Sequence, residues 1–406
     1  MQVGDTSSLF AGIDPETVVW MSHGDRVESL PEGFARMAHT EDCPEAAIGD
    51  IDRSIYAVQF HPEVGHTQQG ARMLQNFLMD ICKCDADWTP QDLATELIAK
   101  VREQVGEDGE IILGLSGGVD SSVVGAICQQ AIGKRCHAIF VDNGLLREGE
   151  RDMVDAAFRD HFDLDLTTIE AEERFLTKLA GETDPEKKRK IIGYEFVEIF
   201  REQAKRFTNA NFLGQGTLYP DVIESVAAHG GATEVIKSHH NVGGLPDDLE
   251  LDLVEPLRWL FKDEVRELGR VLGLPDEMVD RQPFPGPGLA VRCVGDCQPE
   301  RIARLREADK VVREEFESRG EHHGVWQYFA VLTGASSVGV MGDQRTYEEA
   351  CAIRAVQSND GMTADWVYPS RECLQAISSR IINNVRGINR VVLDITSKPP
   401  GTIEWE

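Results

Sequence analysis

The stretch ILGLSGGVDSSVVGAI, Ile112 to Ile127, constrains this chain more than any other. An apolar run of strand length enters Ser-Gly-Gly-Val-Asp-Ser-Ser, and a helix is predicted to start at the second or third serine. Gly117 and Gly118 let the backbone approach an anion closely. Ser116, Ser121 and Ser122 offer hydroxyls, and the helix start presents free N–H groups and the positive end of its dipole. Asp120 beside a phosphate needs a mediating cation, and Mg²⁺ is the natural one. The loop lacks the Gly-Lys-Ser/Thr ending of a Walker A loop, so its lysine has to come from elsewhere. A serine-capped helix after a glycine turn, with no ligand at all, is the plainer alternative.

Around this loop, from about Asp85 to Arg281, short apolar runs alternate with amphipathic helices. The runs are IILGL (111–115), HAIFV (137–141), LTTIE (166–170), NFLGQ (211–215) and TEVIK (233–237). That alternation predicts βαβ units and an α/β fold with a doubly wound parallel sheet. RQPFPGPGL, Arg281 to Leu289, carries three prolines and marks a boundary. Beyond it a helix over about Pro299 to Ser318, strand candidates WQYFAVL, SSVGVMG and AIRAVQS, a helix near Pro369 to Val385 and RVVLDIT predict a small α+β domain. Residues before about 84 mix strand-like runs (TVVWMSH, SIYAVQF) with one helix, roughly Gln68 to Cys82. Three domains are expected, 1–84, 85–281 and 282–406, within reach of a 406-residue chain.

Charge and cysteine usage narrow the function classes. With 70 acidic against 41 basic residues the net charge is −29, which disfavours nonspecific nucleic-acid binding. Only 12 of the basic residues are lysines, so a loop lysine carries more meaning than usual. No apolar run approaches the roughly 20 residues that span a bilayer, and the start has no signal-peptide pattern. Nine scattered cysteines fit a reducing cytosol better than a disulfide framework. Neither Cys82/Cys84 nor Cys293/Cys297 has a second pair at zinc spacing. A cytoplasmic protein without a membrane partner is expected.

SGGVDS resembles the loop of the N-type ATP pyrophosphatases, an adenine nucleotide alpha hydrolase-like class that splits ATP between its α and β phosphates. The resemblance implies that Ser116, Gly117, Gly118, Val119, Asp120, Ser121 and Ser122 hold the pyrophosphate of ATP, with Mg²⁺ on Asp120. It also implies that FVDNGLLR, with Asp142, lies against adenine and ribose, and that Lys237 of KSHHNVGGLP reaches the pyrophosphate. NAD synthetase, asparagine synthetase, argininosuccinate synthetase and tRNA-thiolating enzymes share this loop. GQGTLYPDVIES, FPGPGLAVR, VGVMGDQRTY and SKPPGTIEWE resemble the GMP synthetases instead, and the likeness runs through essentially the whole chain. It implies a xanthylate (XMP) site from Pro287, Gly288, Gln327, Arg345, Lys398 and Glu404, with Arg345 and Lys398 on the 5′-phosphate. It implies a homodimer through the C-terminal domain, and a ligase that adenylates XMP with ATP and then aminates it with ammonia. Two departures stand out: Gln344 replaces a usually small residue, and TGASSVGV lacks an arginine common before SVGV.

VWMSHGD and QFHPEVGHT resemble the second half of a class I glutamine amidotransferase domain. By that resemblance His61 is the base of a Cys-His-Glu triad and Glu63 orients it. The family's nucleophile is a cysteine in Gly-x-Cys-x-Gly, upstream of the histidine. Here the only cysteine before His61 is Cys43, in EDCPEA, without flanking glycines. The expectation is a chain that begins inside the amidotransferase domain and makes GMP from ammonia alone. A non-catalytic nucleotide-binding remnant and another amidoligase with the same loop are the alternatives.

Overall fold

The computed structural model describes residues 1–64, 66–222, 251–341, 344–358, 361 and 363–406. Lys237, its loop and the expected strand 233–237 lie outside the described residues. Met1–Trp88 form one unit and Thr89–Glu406 another. In the first, four short antiparallel strands stand in sequence order: β1 (Gln2–Val3), β2 (Ala35–His39), β3 (Ala47–Asp50) and β4 (Ile55–Val58). Leu9, Phe10, Ile13, Met37, Phe60 and Met73 fill their core. The expected single helix is α1 (Gly70–Gln75) running on into a wider π turn, Asn76–Ile81. Asn76 is buried there and donates to the carbonyls of Leu9 and Ala11, both at 2.9 Å.

The second unit opens with α2 (Pro90–Val105), whose start is set by Thr89 accepting from Asp92 N at 3.2 Å with proline at the first position. Five parallel strands follow: β5 (Glu110–Leu115), β6 (Cys136–Asp142), β7 (Asp165–Glu170), β8 (Ala210–Gly214) and β9 (Asp252–Val254). Their order is β7-β6-β5-β8-β9, the doubly wound arrangement the alternating pattern predicted. Only β9 escaped the sequence reading, because three residues carry too little periodicity to register. Helices α3 (Val119–Ile132), α4 (Glu150–Asp155), α5 (Glu172–Leu179), α6 (Pro185–Ala204), α7 (Lys262–Val271) and α8 (Asp276–Val279) complete the layers. One sheet face packs on Leu97, Val101, Val123, Ile127 and Leu268, the other on Phe175, Ile192 and Ile199. Strand order reverses between β5 and β8, which opens a crevice at their carboxyl ends. The Ser116–Gly118 loop leaves β5 at that crevice.

The C-terminal part holds α9 (Pro299–Ser318), β10 (Gln327–Met341), β11 (Gln344–Gln357), β12 (Asp365–Trp366), α10 (Arg371–Asn384) and β13 (Ile388–Asp394). β10 and β11 form an antiparallel hairpin, with β13 parallel to β11. WQYFAVL and SSVGVMG, expected as separate strands, are one 15-residue strand interrupted by a bulge between Leu332 and Ser336. The core of the second sheet face continues into Leu289, Ile302, Phe316, Ile353 and Ile377. The proline-rich turn presses on the segment after β6: Leu289 N donates to Leu145 O at 2.8 Å. Gly288 has φ +63°, and a Cβ there would stand 2.4 Å from that same carbonyl. Among the described residues no helix is long and apolar enough to cross a membrane.

Candidate active site

Gly117 turns the chain out of β5 with φ +72°, a conformation that favours glycine, and Gly118 is the extended N-cap of α3. The serines close the loop on itself. Ser121 Oγ accepts from Ser116 N at 3.2 Å, donates to Gly118 O at 3.1 Å and lies 3.0 Å from Ser116 Oγ. Ser116 Oγ in turn accepts from Gly118 N at 3.3 Å. Ser122 is buried, and among the described residues its hydroxyl has no hydrogen-bond partner. Val119 packs into the core beneath the loop.

Asp120 lies in the first turn of α3, and Lys262 Nζ stands 2.6 and 2.5 Å from its two carboxylate oxygens. Sequence reasoning missed Lys262. Its signal was faint: a lysine at the first position of a helix whose start is fixed by Glu264 accepting from Phe261 N at 2.8 Å. Asp142, at the end of β6, accepts from Gly144 N at 3.2 Å and from Arg151 at 3.3 Å.

The residues expected to hold a second nucleotide divide into two places. Lys398 pairs with Ala364, just before β12, and its Nζ donates to Gly361 O at 2.7 Å. Gln327 faces Val356 at the same end of the β10–β11 hairpin and is buried, its Oε1 without a partner among the described residues. Glu404 takes a two-pronged ion pair from Arg292, at 2.8 and 3.0 Å, and Arg292 belongs to the short helix that Pro287 and Gly288 begin. Arg292 is fully buried, with its guanidinium 3.8 Å over the ring of Phe329. Arg345 stands apart. It is exposed and pairs with Val340 near the hairpin tip. At about 3.3 Å per residue, some 35 Å of strand separates it from Val356. One copy of the chain does not bring Arg345 to Gln327 and Lys398.

In the first unit His61 Nδ1 lies 2.8 Å from Glu63 Oε1, and both side chains are about half exposed. His61 is fixed by its own N–H donating to Trp20 O at 2.9 Å and by its carbonyl accepting from Thr67 at 2.6 Å. The Glu63 carboxyl is held below its ordinary range by its own backbone amide first and by His61 second. Cys43 is buried, with its thiol donating to Gln59 Oε1 at 3.0 Å.

Known proteins match along the whole length. The family model for the GMP synthase C terminal domain matches residues 314–405, that for glutamine amidotransferase class-I residues 1–81, and that for NAD synthase residues 92–191. The GMP synthase (glutamine-hydrolyzing) of Brachyspira hyodysenteriae is 55% identical over 406 residues, covering 100% of this chain and 79% of that protein. Its counterpart from Nitratiruptor sp. is 55% identical over 403 residues, 99% of this chain and 78% of that one. The protein of the same name from Oleidesulfovibrio alaskensis is 56% identical over 402 residues, 98% and 78%. Among solved structures, NMN synthetase from Francisella tularensis matches at 17% identity and TM-score 0.38, covering 50% of this chain and 79% of that one. With more than half its residues shared across nearly four-fifths of those relatives' length, the chain belongs to the GMP synthase family.

Proposed function

We propose that this protein is a C–N bond-forming ligase that adenylates XMP with ATP and aminates the product to GMP. One observation carries the reading: a serine- and glycine-lined loop at the strand-order reversal, with Asp120 and Lys262 paired at its rim. The C2 oxygen of XMP attacks the α-phosphorus of ATP, the α–β bridging bond breaks, and pyrophosphate leaves. Ammonia then displaces AMP from C2. The chain's part is positioning and charge neutralisation. Loop amides and the start of α3 face the departing diphosphate, and Lys262 offers an ammonium beside it. Lys237 is proposed as a second cation.

The donor set fits Mg²⁺. Among the described residues no three His, Cys, Asp or Glu side chains gather into a metal cage, whereas Asp120 offers one part-exposed carboxylate beside the phosphate loop. Magnesium is commonly held by one or two carboxylates plus substrate phosphates, which this arrangement allows. When bound there it supplies charge neutralisation on the phosphates.

Gln327, Lys398, Glu404 and the Pro287–Gly288 turn are proposed to hold XMP. Arg345 would come from a second copy, since its own copy carries it to the far end of the hairpin. Val338, Val340 and Tyr347 are 53%, 74% and 71% exposed around it, an apolar patch suited to a homodimer. Free ammonia is the proposed nitrogen source for a polypeptide of this sequence, because Cys43 is buried away from solvent and the 406 residues hold no other cysteine before His61. A cytoplasmic location goes with these substrates.

The test is XMP-dependent release of AMP and pyrophosphate with ammonium, then with glutamine in its place. Release with ammonium and none with glutamine is expected. Absence of release with either would refute the ligase reading, and equal GMP from glutamine would refute the ammonia reading.

A further inference from the structure

We propose that Arg281 is a positioning residue for the phosphate loop, fixing the peptide between Gly117 and Gly118 and so the direction of the Gly118 amide and the seat of the Ser116 hydroxyl at the diphosphate site. This deepens the reading above and rests on it for the identity of the anion.

Arg281 Nη1 donates to Gly117 O at 2.7 Å. Its Nη2 pairs with Glu150 Oε1, and the other Glu150 oxygen accepts from Arg147 N at 2.8 Å. The Arg281 side chain is 11% exposed and that of Glu150 2%, so the pair is shielded and held in one geometry. The guanidinium fills the space a side chain at 117 would need: a Cβ on Gly117 would stand 3.2 Å from Nη1.

A trans peptide is planar, so pinning a carbonyl on one side points the following N–H to the other. Here the pinned carbonyl is that of Gly117 and the amide that follows is that of Gly118, which reaches inward to Ser116 Oγ. The orientation of the Gly118 amide, and of the Ser116 hydroxyl it meets, is therefore set from outside the loop. An arginine suits the place because its fork serves Gly117 and Glu150 at once, whereas a lysine is a single point charge. Burial, and then the like charges of Arg147, Arg313 and Arg292, push Arg281 down to about 9. The Glu150 carboxylate faces the guanidinium across the ion pair.

The experiment compares the parent protein with Arg281→Gln, Arg281→Lys and Arg206→Gln. Arg206 is exposed beyond the end of α6 and donates to Gln203 Oε1 at 2.7 Å. Binding of inorganic pyrophosphate with Mg²⁺ is read by calorimetry, and KM for ATP and for XMP by turnover. Arg281→Gln is expected to weaken pyrophosphate binding and raise KM for ATP by about tenfold or more, the scale of one charge-assisted hydrogen bond. KM for XMP should stay within about twofold, Arg281→Lys should fall between, and Arg206→Gln should match the parent. If Arg281→Gln does not fold, Arg281→Lys carries the test on the same criterion. Pyrophosphate affinity and KM for ATP unchanged within about twofold in the folded variants would overturn the proposal, as would an equal rise in both KM values. Loss of pyrophosphate binding in Arg281→Gln with a parent inactive on XMP would sink the ligase reading and leave this one standing. An active parent with an indifferent Arg281→Gln would do the reverse.

Discussion

Lys262 holds both carboxylate oxygens of Asp120, at 2.6 and 2.5 Å. The two side chains are 42% and 30% exposed, and ion pairs that wet contribute at most about 1 kcal/mol to stability. Opposite charges at the rim of the proposed anion cradle make chemical sense instead: in that proposal the carboxylate turns to Mg²⁺ and the ammonium to a phosphate. Lys262→Ala should lower XMP-dependent AMP release by about 10² to 10³, the scale of one lost electrostatic stabiliser, with little change in melting temperature. Steady-state kinetics and a thermal melt check this. Activity within threefold of the parent, on the order of ordinary scatter for a surface change, would remove Lys262 from the site.

How much of this was legible in the sequence follows from separation along the chain. The strand–turn–helix conformation of the Ser116–Ser122 loop could be read because its strand, glycines, serines and helix start are contiguous, and the parallel sheet because its apolar runs alternate regularly. Lys262 and Arg281 could not. Lys262 meets Asp120 across 142 residues and Arg281 meets Gly117 across 164, distances that no local period encodes. WQYFAVL and SSVGVMG read as two strands, whereas the ladder pauses after Leu332 and resumes at Ser336 within β10. Which of the XMP candidates share a place depends on that ladder, so the separation of Arg345 from Gln327 was invisible until the hairpin proved continuous.

Arg292 and Glu404 give a stability prediction. Arg292 is fully buried, and Glu404 is the carboxylate that meets it squarely, while Asp309 stands 3.7 Å off. Removing Glu404 leaves a buried guanidinium short of its main partner. Glu404→Ala should cost about 3 kcal/mol, read as a shift in the denaturant midpoint at unchanged slope. A loss under about 1 kcal/mol would mean that Asp309 and the Phe329 ring suffice for Arg292.

Glu315 ties α9 to α10 through Arg380 at 2.7 Å and to its own helix through Arg319 at 2.9 Å. Hydrogen bonding from Arg380 first, and from Arg319 against the opposing cost of burial, holds its carboxyl below its ordinary value of 4.5. A carboxyl with a depressed folded pKa contributes stability above its unfolded pKa and loses it as pH falls through the folded one. Glu315→Gln should therefore destabilise the protein near neutrality and flatten the acid limb of the melting curve below 4.5. A variant whose acid limb runs parallel to that of the parent would show that Glu315 takes no part in acid unfolding.

The hairpin tip yields the last prediction. Val338 lies directly opposite Tyr347, and Val340 opposite Arg345, so the apolar patch and the arginine share one end of one ladder. Exposed valines on a strand are stabilised by covering them, at about 25 cal/mol per Å² removed from water. A second copy seated there would bury Val340 and carry Arg345 toward a site its own chain leaves about 35 Å away along the strand. An aspartate at the centre of such a contact would meet its own symmetry mate and lose its hydration. Val340→Asp should convert a dimer to a monomer by light scattering and raise KM for XMP by about tenfold while leaving KM for ATP within twofold. The two readouts separate the claims. A monomeric parent removes the dimer and the shared site together. A dimer that dissociates without any change in KM for XMP keeps the interface and leaves Arg345 outside the nucleotide site.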